Sequence, residues 1–259
     1  MTAPADLFDL TGKVALVTGG SRGIGRAIVR TLAEAGADVV ISSRNLESCQ
    51  LLADEIERET GRSALAYAAH AGRWDELPGL IDAAYERFGH LDVLVNNAGL
   101  SPRYDSLTSI TEELWDKVYA VCVKGPFRLS ALAAERMAAD RGGSIVNIST
   151  TGAVEPYPWG VPYHSAKAAL NNMTVALGKA CGPHVRVNAI MPGAIETDIT
   201  RQWDMDAFTS RAQKTLALQR IGQPEEIAAA ALYFASAASS YTTGTVISID
   251  GGARMMDQP

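Results

Sequence analysis

The chain has 259 residues, 47% of them hydrophobic and 20% charged, with 23 Lys and Arg against 29 Asp and Glu for a net charge of −6. That length suits one large α/β domain and is short for two, and an acidic balance without any block of Lys or Arg lacks the electrostatic footprint of a nucleic-acid binder. No apolar run reaches the roughly 18 residues of a membrane span, the start MTAPADLFDL has no signal-peptide pattern, and Cys49, Cys122 and Cys181 fit neither a disulfide framework nor a zinc site, so a soluble, cytoplasmic protein with reduced thiols is expected, with no nucleic-acid and no membrane partner.

In chain order, short β-branched runs alternate with helical patterns. Val14 to Thr18 predicts a strand and Gly23 to Ala35 a helix; Asp38 to Ser43 and Leu46 to Thr60 repeat the pair, as do Ser63 to Tyr67 and Trp74 to Phe88. Leu91 to Asn96 leads into a long helical pattern from Thr111 to Ala139, and Ser144 to Ser149 into Tyr163 to Ala180. Val185 to Ile190, Pro224 to Ala235 and Thr245 to Asp250 complete the series. Strands alternating with helices in this way imply an α/β fold, a Rossmann-type doubly wound parallel seven-stranded sheet with helices on both faces, in a single domain spanning residues 1–259. Thr197 to Leu218 fits neither period, carries isolated Trp203, Met205 and Phe208, and is read as a mobile substrate lid within that domain. The tail after Gly252 is expected to fray.

Two stretches carry chemistry. After VALV comes Thr18-Gly19-Gly20-Ser21-Arg22-Gly23-Ile24-Gly25, then RAIVRTLAEAG: strand, tight glycine turn and helix, the order a dinucleotide site requires. Gly19 suits the sharp turn, Gly23 lets a pyrophosphate approach the main chain, Gly25 lets the helix lie close to the strand, and the helix N-terminus faces the anion. Ser21 and Ile24 belong to the same cradle. Further on, Tyr163 and Lys167 in YHSAK share one face of a helix. A phenol with a pKa of about 10 is a poor acid or base near neutrality, and an adjacent ammonium favours its phenolate.

With TGGSRGIG, NNAG (Asn96 to Gly99), YHSAK and MPGAIET (Met191 to Thr197) in this order, the chain resembles the short-chain dehydrogenase/reductase family over roughly Leu10 to Gly252, and within it the 3-oxoacyl-carrier-protein-reductase-like subgroup. The resemblance implies an NAD(P)-dependent enzyme that interconverts a carbonyl and a secondary alcohol. Tyr163 is then the proton donor, Lys167 depresses its pKa and binds the ribose hydroxyls, and a catalytic hydroxyl is expected at Thr150, with Ser149 as its rival. Asn97, Ala98 and Gly99 allow close passage of the ribose, whereas Asn96 braces the sheet. Pro192, Gly193, Ile195 and Thr197 line the nicotinamide carboxamide. Where family members commonly carry an Asp for the adenine amine, this chain has His70 and Ala71.

The second strand ends at Ser43-Arg44, without the acidic residue that accepts an adenosine ribose 2′-hydroxyl in NAD-binding proteins. Arg44, Arg22 and the Ser43 hydroxyl suit a 2′-phosphate, so NADP(H) is preferred and NAD(H) is possible; the alternative is that both arginines are solvated surface charges. Where the family has an asparagine ahead of the fifth strand, this chain has Cys122. A cysteine there preserves a proton relay through its main-chain carbonyl, or marks a degraded catalyst, or serves as a nucleophile. With Thr150 standing where the family has a serine, this motivates the second hypothesis: a cofactor-binding protein with little turnover. His70, His90, His164 and His184 lack metal-ligand spacing, so no metal is expected, and His164 is read as pointing away from Tyr163. Arg103, Tyr104, Tyr157, Trp159 and Pro162 line an aromatic pocket for a small carbonyl or alcohol substrate, or pack in a subunit contact; homotetramer or homodimer is the assembly the family implies.

Overall fold

All five residues of Val14–Thr18 are buried, which a strand achieves when both of its faces are covered. In the computed structural model, which describes residues 3–197 and 204–253, this strand, β1, lies inside a seven-stranded sheet, third from one edge. The others are β2 (Asp38–Ser43), β3 (Ala64–Ala68), β4 (Val93–Asn96), β5 (Gly143–Ile148), β6 (Val185–Pro192) and β7 (Val246–Ile249). Every pairing is parallel and the order is β3-β2-β1-β4-β5-β6-β7. The order reverses between β1 and β4, and at such a switch point the two outgoing loops diverge and leave a crevice at the carboxyl edge of the sheet.

The described residues form eight α-helices: α1 (Gly23–Glu34), α2 (Leu46–Thr60), α3 (Leu77–Phe88), α4 (Glu112–Tyr119), α5 (Gly125–Ala139), α6 (Val161–Ala180), α7 (Met205–Thr215) and α8 (Pro224–Ala235). Side chains alternate across a strand, and β1 divides accordingly. Ala15 and Val17 join Ile28, Leu32, Leu52, Ile56 and Phe234 under α1, α2 and α8. Val14 and Leu16 join Leu77, Leu80, Leu129 and Met137 under α3 and α5. No helix among the described residues is long and apolar enough to cross a membrane.

Strand ends differ from the expected ones by one or two residues, and three helical segments differ in kind. Trp74 to Glu76 is a 3-10 turn, and α3 starts only at Leu77. The pattern from Thr111 to Ala139 is not one helix: α4 and α5 are separated by a π-helical turn over Ala120–Lys124. Its cause lies in the sequence. Pro126 has no N–H to give the carbonyl of Cys122 four residues back, and Gly125 donates instead to Ala120, five residues back. Gly125 is also pressed on the loop after β3, where a Cβ would stand 1.8 Å from the Ala71 carbonyl oxygen. The expected lid contains a helix, α7, capped by the Asp204 carboxylate on the Ala207 N–H. Met205, Phe208, Ala212 and Leu216 form its apolar face and pack with Ile221. Residues 198–203 of the lid, including Trp203, lie outside the described residues, as does the tail beyond residue 253.

Candidate active site

The glycine turn is closed by backbone geometry. Gly19 and Gly23 have φ of +62° and +52°, the left-handed region that glycine enters without a Cβ penalty. A Cβ on Gly25 would lie 2.1 Å from the Gly19 carbonyl oxygen, so the first turn of α1 rests directly on the loop leaving β1. The neighbouring β4 loop is tied to the same place. Asn97 donates its side-chain amide to the carbonyls of Thr18 and Gly19, both at 3.0 Å, and the Thr18 hydroxyl accepts the N–H groups of Asn97 and Ala98 at 3.1 Å. The Asn97 amide is therefore engaged in holding the turn. Thr18 is the functional residue that sequence reasoning passed over, although a hydroxyl at the last position of a buried strand was a visible signal.

Around the turn the structure gathers most of the expected cofactor set. Arg22, at the entrance to α1, and Arg44, just past β2, are both exposed, and Ser21 and Ile24 are half-buried between them on the turn. The Ser43 hydroxyl departs from expectation. It donates to the Asn45 carbonyl at 3.1 Å, accepts the Asn45 N–H at 3.2 Å and lies 3.1 Å from the Cys49 sulfur, so its one hydrogen serves the entry to α2. The His70 ring likewise turns inward, its Nδ1 accepting the Gly72 N–H at 3.0 Å, while Ala71 abuts Gly125. On the other side, Pro192 ends β6, a Gly193 Cβ would meet Asp250 at 2.6 Å, and Ile195 bridges to Gly222. Thr197 stands 3.6 Å from where a Gly23 Cβ would be, so the loop after β6 faces the glycine turn.

The second group is assembled by α6 and β5. Tyr163 and Lys167 share a face, with the ammonium 5.8 Å from the phenol ring centre. Lys167 is 2% exposed and donates to the Ile148 carbonyl at 2.6 Å, and an added Cβ on Gly99 would be 3.9 Å from its Nζ. Ser149 is buried, with its hydroxyl on the Lys167 carbonyl at 3.3 Å. Thr150 is half-buried and its oxygen accepts the Gly152 N–H at 3.3 Å, which leaves the hydroxyl hydrogen available to another acceptor. Cys122 is fully buried in the π-helical turn, packs with Val118, Val121, Ala166 and Tyr163, and points its thiol toward the Leu100 carbonyl at 3.8 Å.

The electrostatics differ from expectation. Burial pushes the Tyr163 phenol well above its ordinary range, and the neighbouring Cys122 adds to the effect. Burial also pushes the Lys167 ammonium down. Desolvation of the buried phenol thus dominates its pKa, and the Lys167 ammonium is directed at a carbonyl.

His164 does not point away from Tyr163 as expected: the two rings lie 5.6 Å apart, tilted by 53°. His164 is 8% exposed, its Nδ1 accepts the Tyr157 N–H at 3.1 Å, and burial holds its pKa below the ordinary value of 6.5. A histidine buried neutral binds fewer protons folded than unfolded. The stability it contributes is therefore present above about pH 6.5 and is lost as pH falls through the depressed folded value. Melting temperature is expected to fall between pH 7.5 and 5.5, and His164→Asn to flatten that slope; an unchanged slope would remove His164 as its source. Among the described residues no three His, Cys, Asp or Glu side chains cluster as metal ligands would.

Comparison with known proteins agrees with this geometry. The family described as Enoyl-(Acyl carrier protein) reductase matches residues 19–254. The human dehydrogenase/reductase SDR family member 4 is 36% identical over 245 residues, covering 94% of this chain and 88% of the relative. The 3-oxoacyl-[acyl-carrier-protein] reductase FabG of Thermotoga maritima is 37% identical over 244 residues, covering 94% and 98%. Two solved structures, each 33% identical, superpose over 97% of this chain and 98% of theirs. One is a 7α-hydroxysteroid dehydrogenase complexed with NADH and 7-oxo glycochenodeoxycholic acid, with a TM-score of 0.91. The other is a gluconate 5-dehydrogenase from Burkholderia cenocepacia in complex with NADP and tartrate, with a TM-score of 0.90. A glycine turn braced by Thr18 and Asn97, an α6 that pairs Tyr163 with a buried Lys167, and matches along nearly the whole length place the chain in the short-chain dehydrogenase/reductase family, oxidoreductases that act on CH–OH and C=O groups with a nicotinamide dinucleotide.

Proposed function

We propose that the protein is an NADP(H)-dependent oxidoreductase that interconverts a carbonyl and a secondary alcohol on a small molecule. The observation that carries this reading is the pairing of Tyr163 with a buried Lys167 that donates to the Ile148 carbonyl, at the end of the strand that leads to Thr150, in a protein whose glycine turn any side chain at Gly19 or Gly25 would fill. The dinucleotide, when bound, supplies the hydride. Gly19, Gly23 and the first N–H groups of α1 would hold its pyrophosphate, Ala98 and Gly99 would pass its ribose, and Pro192, Gly193, Ile195 and Thr197 would flank its nicotinamide. His70 and Ala71 would border the adenine. Lys167 would bind the ribose hydroxyls, Thr150 would donate a hydrogen bond to the substrate oxygen, and Tyr163 would protonate that oxygen during reduction. Oxidation runs the same steps in reverse.

A phenol pushed up by burial suits the protonating direction, because it stays neutral and holds its proton until an alkoxide develops. In the oxidative direction Tyr163 must first lose that proton, and each pKa unit to be recovered corresponds to about 1.4 kcal/mol. Lys167 then needs the help of the positive charge on the oxidised ring. Cys122 favours a second reading, a cofactor-binding protein with little turnover, since its thiol stands among the reacting groups where the family places an amide. If the protein binds NADPH yet oxidises none of it across a broad carbonyl panel, that second reading prevails.

For the cofactor, the exposed guanidiniums of Arg22 and Arg44 and the lack of a carboxylate at the end of β2 support NADP(H); the relatives bind either form, and the inward Ser43 hydroxyl leaves the arginines as the 2′-phosphate contacts. A hydrogen bond to a charged group contributes about 1.5–3 kcal/mol, so Arg44→Asp is expected to weaken NADPH binding by roughly 10- to 100-fold and to leave NADH binding nearly unchanged, as measured by fluorescence titration. Equal effects on both cofactors would defeat the assignment. The region 197–218 would act as the substrate lid: the guanidinium of Arg211 on α7 lies 5.4 Å from the Tyr157 ring and 5.9 Å from the Trp159 ring. Tyr104 ties down the same segment, donating to the Pro158 carbonyl at 2.6 Å. The exposed Phe127 on α5 and Val175 on α6 support an assembly through those helices, a homotetramer or homodimer that sedimentation would distinguish.

A further inference from the structure

We infer that His164 is a positioning residue, a neutral imidazole around which the segment from Thr150 to Gly160 is wrapped so that the Thr150 hydroxyl and the Tyr157–Trp159 rim keep their places. The inference rests on the reading of Thr150 as the substrate-facing hydroxyl. Two loops bracket the ring. A Cβ on Gly152 would lie 2.4 Å from His164 Cδ2 and 2.5 Å from Nε2, and a Cβ on Gly160 would lie 2.5 Å from Cε1 and 2.8 Å from Nδ1. Both glycines are buried and neither has a positive φ, so backbone conformation does not demand glycine there. What demands it is the ring, which occupies the space a side chain would take at both positions.

Each side of this contact reaches a working part of the site. Gly152 gives its N–H to the Thr150 oxygen at 3.3 Å, so the residue pressed on one face of the imidazole is the one that orients the hydroxyl. Tyr157 gives its N–H to Nδ1 at 3.1 Å, which requires that nitrogen to be unprotonated and assigns the proton to Nε2. The Tyr157 ring then meets His164 edge-on at 5.8 Å and stacks on Trp159 at 4.9 Å with an interplanar angle of 7°. Through Tyr157 the same imidazole is linked to Arg211 of α7. Because His164 follows Tyr163 on α6, the helix that presents the phenol also fixes the loop that presents the hydroxyl. Supporting residues of this kind hold a constellation within the tolerance that chemistry needs.

Two sets of variants test this. His164→Phe keeps a ring of similar size and removes the acceptor, whereas His164→Asn restores an acceptor near the position of Nδ1. Hydrogen exchange of the Tyr157 amide, measured on the full chain with NADPH bound, is expected to accelerate at least tenfold in His164→Phe and to stay near wild type in His164→Asn. With a carbonyl substrate that the wild type reduces, kcat is expected to fall about tenfold in His164→Phe and to recover in His164→Asn, with the NADPH dissociation constant unchanged throughout. In the second set, Gly152→Ala lowers kcat at least tenfold in the wild-type background and has little further effect in His164→Ala, where the ring it collides with is gone. Unaltered Tyr157 exchange in His164→Phe, or effects of Gly152→Ala and His164→Ala that simply multiply, would overturn the inference. If the wild type reduces no carbonyl, the proposed activity fails, while the exchange measurement still decides the role of His164.

Discussion

Tyr163→Phe is expected to lower NADPH-dependent carbonyl turnover by about 10²- to 10⁴-fold, the range a positioned general acid contributes, while the NADPH dissociation constant stays close to wild type. The substitution removes one oxygen and keeps the ring, so the packing of Tyr163 with Cys122, Val118 and Ala166 survives. Lys167 also retains its bond to the Ile148 carbonyl. With the phenol gone, neither remaining group replaces it. The Thr150 hydroxyl is far too weak an acid, and the buried Lys167 ammonium is committed to the main chain. Stopped-flow hydride transfer together with NADPH titration separates the two quantities. A variant that binds NADPH normally and turns over at the wild-type rate would exclude Tyr163 as the proton donor.

Gly25→Ala is expected to abolish useful cofactor binding, weakening NADPH affinity by more than about 100-fold. Its Cβ would lie 2.1 Å from the Gly19 carbonyl oxygen and 2.5 Å from the Asn97 amide nitrogen, and those two groups already hydrogen-bond each other at 3.0 Å. The Gly19 carbonyl is main chain and the Asn97 amide is tethered to it and to the Thr18 carbonyl, so either α1 moves away from β1 or the turn opens, and both displace the N–H groups that would hold the pyrophosphate. Forced overpacking of this sort costs about 1–3 kcal/mol, which for a chain of this size lowers the melting temperature by roughly 2–4 °C per kcal/mol. Calorimetry and NADPH titration of the same sample test both consequences. A variant that melts and binds as the wild type does would mean that the turn has slack the geometry does not show.

Much of the fold was legible because the inner strands β1, β2, β4, β5 and β6 bury both faces and the helices over them bury one, so period and length separated the two kinds of element. The exceptions have local causes. The break between α4 and α5 was hidden by a continuous apolar pattern, and only Pro126, whose missing N–H falls opposite Cys122, announced it. The helix α7 was obscured because its apolar positions, Met205, Phe208 and Ala212, are sparse; the Asp204 cap in front of them was the overlooked sign. In the site, the glycine turn and the Tyr163–Lys167 pair could be read from spacing, since both depend on neighbours within one element. The direction of the phenol's pKa could not, because desolvation sums over residues brought in from several elements. The Ser43 hydroxyl, assigned to a 2′-phosphate, bonds the protein's own main chain at Asn45, and the Asn97 amide holds the Thr18 and Gly19 carbonyls, choices set by loop geometry rather than by residue type. Likewise His164 touches Gly152 only because a loop folds back over α6.

The interruption at Ala120–Lys124 has a bearing on how freely position 122 can vary. An imino acid at 126 deprives one peptide oxygen of its usual donor whichever amino acid supplies that oxygen. That oxygen answers to the course of the main chain, so a thiol can take the place of an amide at 122 without erasing it.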